Sequence, residues 1–332
     1  MRLLPGAALV LLAAAAVVAQ ALPVSHEYAS VNGQRLHYAR AGSGPLMVFV
    51  HGFPEFWYEW KHQIVEFSRD HTVVAPDMRG YNLSSKPGEL SAYQMPNLVE
   101  DLRALAAEVM KPAGAGKFTL VAHDWGGVVA WVFAAQHPEM LDKLVIINAP
   151  HPTIFGKLLR DDAAQQKASG YMLMFRSPQA EATLSADNYE RLTAMVLGDG
   201  LKNGTVTEAD QKMYVDAWSQ PGALTGGLNY YRAAGVGPPR PAAIETAATT
   251  AAPPAAPGEA AALLSLPPMI VRVPTLVVWG EKDTALLTSN LNGLEEVVPS
   301  LTVRRIPDGT HWVVREKASE VNGLIREFLA KP

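Results

Sequence analysis

Three residues of this 332-residue chain have the types and the order that nucleophilic catalysis uses: Asp124, Asp283 and His311. Asp124 lies in VAHDWGGVVA (121–130), where a short apolar run meets a helical pattern, with Ala122 two places before it and Gly126 two places after. A nucleophile elbow has this form: the chain leaves a strand, bends sharply into a helix and exposes one side chain at the carboxyl edge of the sheet. Small residues must flank that side chain because the backbones nearly collide. Serine is the common occupant, and an aspartate stands here instead. Alone, Asp124 reads equally well as a helix N-cap. The rest of the chain weighs against that reading. Asp283 follows the apolar run of PTLVVWGEKD (274–283), and His311 follows the next run, in IPDGTHW. Nucleophile, acid, histidine is the chain order of an elbow triad.

A fourth motif belongs with these three. HGFPEFWYEW (51–60) directly follows the apolar run LMVFV. Its glycine lets the backbone turn close to the elbow, and the amides of Phe53 and Trp125 can together form an oxyanion hole. The Phe53-Pro54 bond is a candidate cis peptide. Packing of this aromatic loop on the core is the plainer alternative. No serine sits in an elbow context, which argues against a serine esterase. PAGAGKF (112–118) lacks the phosphate-loop spacing, and no G-x-G-x-x-G occurs. With no cysteine in the chain, a thiol nucleophile, a thiolate metal site and an iron–sulfur cluster are excluded. The nine histidines are scattered, so neither a metal nor another cofactor has support, and His51, His123, His137 and His151 read as structural. A net charge of −4 lacks the basic footprint that nucleic acid requires.

The elements that must position these residues follow from apolar periodicity. Strands are predicted at 35–40 and 46–50, paired through the turn GSGP, and at 71–77, 117–124, 142–150, 274–283 and 301–308. The Val/Ile/Leu runs at 118–123, 144–147 and 275–279 suit strands buried on both faces, as in a parallel sheet. Helical patterns at 97–110 and 318–330 alternate with them, which implies an α/β sheet with helices on both faces. After Pro150 the rhythm changes. Residues 153–232 are mainly helical, with Thr207 as an N-cap for 207–218, and the strand pattern resumes only at 274. That is the pattern of a helical cap inserted into the core. Within it, the Ala/Pro-rich stretch 233–262 lacks apolar periodicity and reads as a flexible excursion. The division is thus 22–150 for the first part of the core, 151–268 for the cap and 269–332 for the second part.

Residues 1–21 form a unit of their own. Arg2, the apolar AALVLLAAAAVV (7–18) and AQA (19–21) describe a secretory signal peptide cleaved after Ala21. An uncleaved membrane anchor is the alternative. Either places the remainder outside the cytosol. The triplets at Asn82 and Asn203 match glycosylation sequons, which matter only in a eukaryotic secretory pathway.

HGFPEFWYEW, APDMRGYNLSSKP (75–87), VAHDWGG, GLNYYR (227–232), VVWGEKD (277–283) and GTHW (309–312) together resemble the epoxide hydrolase branch of the α/β-hydrolase superfamily. The resemblance spans roughly 27–232 and 272–330. It implies an α/β-hydrolase fold, a mostly parallel central sheet with an inserted helical cap. It also implies that Asp124 attacks a small apolar epoxide to form an ester, which water activated by His311 cleaves to a vicinal diol, with Asp283 orienting His311. Two cap tyrosines would hold the epoxide oxygen: Tyr231 in LNYYR, beside a structural Tyr230, and Tyr171 in YMLMFR. Met174 and Arg176 depart from the family's pattern, as does Thr310, where a glycine often precedes the histidine. Met172, Met174, Phe175 and Trp218 suggest an apolar pocket. Two other functions fit parts of this pattern. A haloalkane or haloacid dehalogenase uses the same aspartate, but no asparagine follows His51-Gly52. A non-catalytic ligand-binding homologue would retain the fold without turnover.

Overall fold

The computed structural model describes residues 22–111, 116–239 and 268–331. Eight strands make one sheet: β1 (Ser25–Val31), β2 (Gln34–Ala41), β3 (Leu46–Val50), β4 (Thr72–Pro76), β5 (Phe118–His123), β6 (Leu141–Ile147), β7 (Thr275–Gly280) and β8 (Leu301–Ile306). Their order is β1-β2-β4-β3-β5-β6-β7-β8. From β4 onward across the sheet every pair is parallel, while β1 with β2 and β2 with β4 pair antiparallel. β5 and β7 are buried along their whole length, as their unbroken apolar runs require.

One expected pairing is wrong. β2 and β3 do not form a hairpin, because β4 lies between them. β3 is buried on both faces and takes a parallel partner on each side, β4 and β5. The GSGP turn is also anchored elsewhere. Gly42 and Gly44, at φ 71° and 127°, press on backbone atoms of Ser68, Asp70 and His71. The turn therefore packs on the chain entering β4. β1 was not foreseen, since its SHEYASV buries only alternate residues at a sheet edge.

Helices α1 (Lys61–Phe67), α2 (Met95–Met110) and α3 (Asp124–Gln136) follow the first strands, and α2 packs on α3. Between β6 and β7 come α4 (Pro152–Asp161), α5 (Ala163–Ala168), α6 (Tyr171–Phe175), α7 (Ala180–Asn203), α8 (Glu208–Trp218) and α9 (Ala223–Ala234). Thr207 caps α8 through a reciprocal capping box with Asp210. α7 is broken at Ala186–Tyr189, where Asp187, Asn188 and Tyr189 are left-handed. The chain closes with α10 (Leu294–Val297), α11 (Val313–Glu316) and α12 (Ala318–Leu329), and α12 packs on α1.

Specific polar contacts dock this helical layer on the core. Tyr230 donates to the Arg79 carbonyl at 2.9 Å, and Trp218 Nε1 donates to the Pro54 carbonyl at 2.7 Å. Tyr58 and Lys61 both donate to Asp210. Gly226 meets the Gly80 backbone so closely that a Cβ at either position would collide. Asn82 is buried and donates to Asp77 at 2.9 Å, so the acceptor amide of its sequon is not exposed. The expected leader at 1–21 lies outside the described residues, as does 240–262 of the Ala/Pro-rich stretch, whose first residues end α9 at Gly235. Among the described residues no helix is long and apolar enough to cross a membrane.

Burial sets a pH limit on this core. Loss of solvation drives the imidazoles of His51, His123 and His151 down to about 4. Unfolded histidines titrate near ~6.5, so between these values the unfolded chain binds more protons and stability rises with pH. The contribution is fully present above ~6.5. It is lost as pH falls toward 4, on the order of 3 kcal/mol per ring. The urea midpoint is expected to drop steeply between these pH values. A flat profile would mean that these rings take up protons without unfolding.

Candidate active site

The elbow forms where β5 gives way to α3. Asp124 has φ 48°, in the left-handed region, so its side chain is thrown out of the helix line at the sheet edge. The close approaches that small residues were expected to allow are present. A Cβ on Gly126 would collide with the carbonyls of Val50 and His51, and one on Gly127 with Ala149. Gly52 lies directly against the Asp124 carboxylate, where a Cβ would strike its side-chain atoms. The Phe53 amide donates to Asp124 Oδ1 at 2.7 Å. The Trp125 amide lies in the first turn of α3, where N–H groups lack intrahelical acceptors. The Phe53-Pro54 bond is cis.

Asp283 and His311 arrive from the loops after β7 and β8. Asp283 is buried and its Oδ1 accepts from the amides of Ala285 and Leu286 at 2.8 and 2.9 Å. Its Oδ2 accepts from Asn148 Nδ2 at 2.8 Å and lies 2.7 Å from His311 Nδ1. Burial alone would raise this carboxyl, but the His311 charge and these hydrogen bonds hold it below its ordinary value. An ionised carboxylate can only accept, so His311 Nδ1 carries a proton. The opposite nitrogen, Nε2, faces Asp124 Oδ2 at 3.7 Å. Burial would lower the imidazole, yet Asp283 first, then Asp124 and Glu59, lift it to about 9.

The cap supplies the tyrosines. Tyr231 on α9 is buried, with ring centroids 5.1 Å from Trp125, 5.4 Å from Phe53 and 5.1 Å from Phe175. Tyr171 on α6 stands beside it, edge-on at 6.4 Å between rings. Burial, reinforced by the Asp124 carboxylate, pushes both phenols well above their ordinary range. Both hydroxyls therefore keep their protons at neutral pH and can donate. Tyr230 is occupied with Arg79, in keeping with a structural role. Met172 and Phe175 are buried, and Met174 is half-buried in the same layer. Trp218 is committed to the Pro54 loop. His51 is also structural: Nδ1 contacts the Gly52 carbonyl at 2.8 Å and Nε2 accepts from the Met78 amide at 3.0 Å.

Several neighbours were not legible beforehand. Asn148, just after β6, bonds both Asp283 and the Gly280 amide; a polar residue ending the apolar run VII was the available signal. Glu55, Glu59 and Arg315 are all buried behind the site, and Arg315 pairs with Glu55 at 2.5 Å. Thr310, the residue that departs from the family's glycine, bonds Glu316 through its amide and hydroxyl, which fixes the His311 loop to α11. Among the described residues no cluster suited to a metal ion occurs.

Gly52→Ala isolates the elbow constraint. The added methyl must displace the Asp124 carboxylate or the Phe53 loop. Misplacement of a reacting group by about 1 Å can cost about 10²-fold. A loss of that size is expected in single-turnover rate, with a smaller loss in Tm. A variant of parental rate would show that the loop yields freely.

Comparison with known proteins agrees with this geometry. A family profile described as the alpha/beta hydrolase fold matches residues 45–318. Epoxide hydrolase 4 of Mus musculus is 34% identical over 308 residues, covering 90% of this chain and 77% of that protein. An AB hydrolase superfamily protein of Bacillus subtilis is 35% identical over 311 residues, covering 92% and 98%. A crystal structure of Bacillus megaterium epoxide hydrolase with an inhibitor superposes with TM-score 0.80 at 37% identity, covering 92% of this chain and 100% of that one. The chain belongs to the alpha/beta hydrolase family, in its epoxide hydrolase branch.

Proposed function

We propose that this enzyme converts an apolar epoxide to a vicinal diol in two steps through an ester on Asp124. The observation that carries the reading is the pairing of a carboxylate at the elbow with two protonated phenols on the cap above it. A carboxylate needs no base to become a nucleophile near neutral pH, since an unperturbed aspartate titrates near ~4. It is suited to displacement at the saturated carbon of a strained ring. That attack leaves an alkoxide, a poor leaving group, and Tyr171 and Tyr231 supply the hydrogen bonds or proton it requires.

The second step is attack of water on the carbonyl carbon of the Asp124 ester. His311 takes the proton from that water through Nε2 and is oriented by Asp283 through Nδ1. The charge state of His311 fits this sequence. In the free enzyme both aspartates hold the imidazole protonated, with a pKa of about 9. Ester formation removes the Asp124 charge, one of those that raise it, so the imidazole becomes easier to deprotonate when a base is needed. The proton that His311 yields balances the one the opened ring takes up. The oxyanion formed on the ester falls to the amides of Phe53 and Trp125. Loss of one such donor typically costs about 10²–10³ in rate.

Dehalogenation through the same ester fits less well. The residue after Gly52 is Phe53, where an asparagine would supply a halide donor, and the Trp125 ring packs edge-on against Tyr231 with centroids 5.1 Å apart.

Isotope transfer tests the ester. In a single turnover on styrene oxide in water enriched with heavy oxygen, the label is expected on Asp124 and not in the diol. Label should enter diol in a following turnover in ordinary water. His311→Gln is expected to accumulate the ester, seen as a mass increase equal to the epoxide, whereas Asp124→Asn should form none. Direct labelling of the first diol would overturn the mechanism.

A further inference from the structure

Behind the triad lies a set of ionisable groups for which the two-step scheme has no use. Glu59 is buried in the short turn Trp57–Trp60, and its Oε1 lies 2.5 Å from His123 Nδ1. The other nitrogen of that ring, Nε2, lies 2.9 Å from the backbone carbonyl of His311. A carbonyl only accepts, so His123 Nε2 carries the proton and Nδ1 of the neutral ring presents a lone pair. A carboxylate facing that lone pair would be repelled by it, whereas a carboxylic acid would donate to it. Glu59 Oε2 and His123 Nδ1 are both buried without a hydrogen-bond partner; a charged oxygen there is costly, and a proton on Glu59 would satisfy the facing nitrogen. Nor is there a spare cation beside it among the described residues. Arg315, the nearest guanidinium, is committed to Glu55 and to the Val196 carbonyl.

We propose that Glu59 is a positioning residue for the hydrolytic step, a neutral carboxylic acid that donates to His123 so that His123 holds the His311 backbone in place. This deepens the epoxide hydrolase reading and rests on it. The rings of His123 and His311 lie 4.7 Å apart, so the support reaches the base from the side away from Asp283. The Glu59 pKa agrees. Burial raises it to about 8 against the opposing pull of Arg315, with Asp124 adding to the rise and His311 and the Gly52 backbone opposing it. The charged and titratable groups that face Glu59 are Glu55 on its own loop, His123 and Asp124 at the elbow, His311 after β8, Arg315 on α11 and Tyr214 on α8. The proton on Glu59 has a second consequence. Above about 8 it is lost, a negative charge appears behind His311, and His311 is held more firmly in its protonated form.

Two variants and two readouts test this. Glu59→Gln keeps the shape and an N–H donor but has no charge to gain, and Glu59→Ala removes the donor. Followed by NMR in the free protein, the His311 imidazole is expected to titrate about one pH unit lower in Glu59→Gln than in the parent, as loss of a nearby carboxylate requires. This readout needs no substrate, so it stands even if epoxides prove not to be turned over. In decay of the Asp124 ester at pH 7, Glu59→Ala is expected to be about tenfold slower, the size of one lost buried hydrogen bond, and Glu59→Gln should restore most of that rate. Decay as slow in Glu59→Gln as in Glu59→Ala would overturn the proposal, since an ionised Glu59 would then be needed. An unshifted His311 titration would mean that Glu59 keeps its proton throughout that titration, whereas a Glu59 carboxyl that titrates in the ordinary range near ~4.3 by NMR of the free protein would overturn the proposal. If Glu59→Ala does not fold, the titration and ester decay of Glu59→Gln decide the matter.

Discussion

Asp124 has φ 48°, a backbone state that costs a side-chain-bearing residue of order 1–3 kcal/mol unless its surroundings enforce it. The enforcement comes from two directions. β5 is buried along its length between β3 and β6, which fixes where the strand must end. α3 has to start at once, because Gly126 rests on the β3 carbonyl edge and Gly127 on Ala149. The chain between these anchors has no room for an ordinary turn. The carboxylate emerges at the sheet edge, beside the Phe53 amide and the first turn of α3. Gly52, the acceptor of His51, the oxyanion amides and the Trp125 ring all take their places from that one bend.

Holding a charge there obliges the interior to distribute others. Asp124, Asp283, Glu55 and Glu59 are all buried close by, while Arg315 and His311 are the cations that face them. Arg315 goes to Glu55 and His311 goes to Asp283. Glu59 is left without a cation and keeps its proton. Two neutral histidines, His51 and His123, fill the remaining polar positions, each with a backbone carbonyl in contact. A cation in their place would compete with His311 for Asp124. Their depressed pKa values therefore serve the site as well as the fold: they leave His311 as the imidazole that responds to the charge on Asp124.

The triad was legible because its chemistry fixes residue types at strand ends, and strand ends can be read from apolar runs. Asp124, Asp283 and His311 come together as their order implied. Sheet pairing was less accessible. The neighbours of β2 depend on which strands β3 needs for its two buried faces, a property of the whole sheet that the GSGP turn does not encode. Glu59 and Arg315 were missed for a related reason. A charged residue in an aromatic loop or on a short helix reads as solvated, and only the fold reveals that both side chains are buried behind the same histidine. Residues 1–21 and most of the Ala/Pro-rich stretch fall outside the described structure, so the leader and the excursion stand as sequence readings.

The cap poses a different problem, since Tyr171 and Tyr231 sit on separate helices and, on the proposed mechanism, address one oxygen. Neither hydroxyl can fix the other helix by itself. The joint lies at the far end of the pair. Arg232, next to Tyr231, bonds Glu181 in two places and the Ser177 carbonyl, tying α9 to the chain that leaves α6. Arg176 reaches back from α6 to the Val236 carbonyl beyond α9. Arg176, one of the two residues by which YMLMFR departs from the family's pattern, thus contributes to holding α6 against α9. The aromatic packing of Phe175 on both Phe53 and Tyr231 then sets that joined pair over the elbow. With the two helices braced outside the site, the phenols are left free for the oxygen that the opening ring would present on the proposed reading.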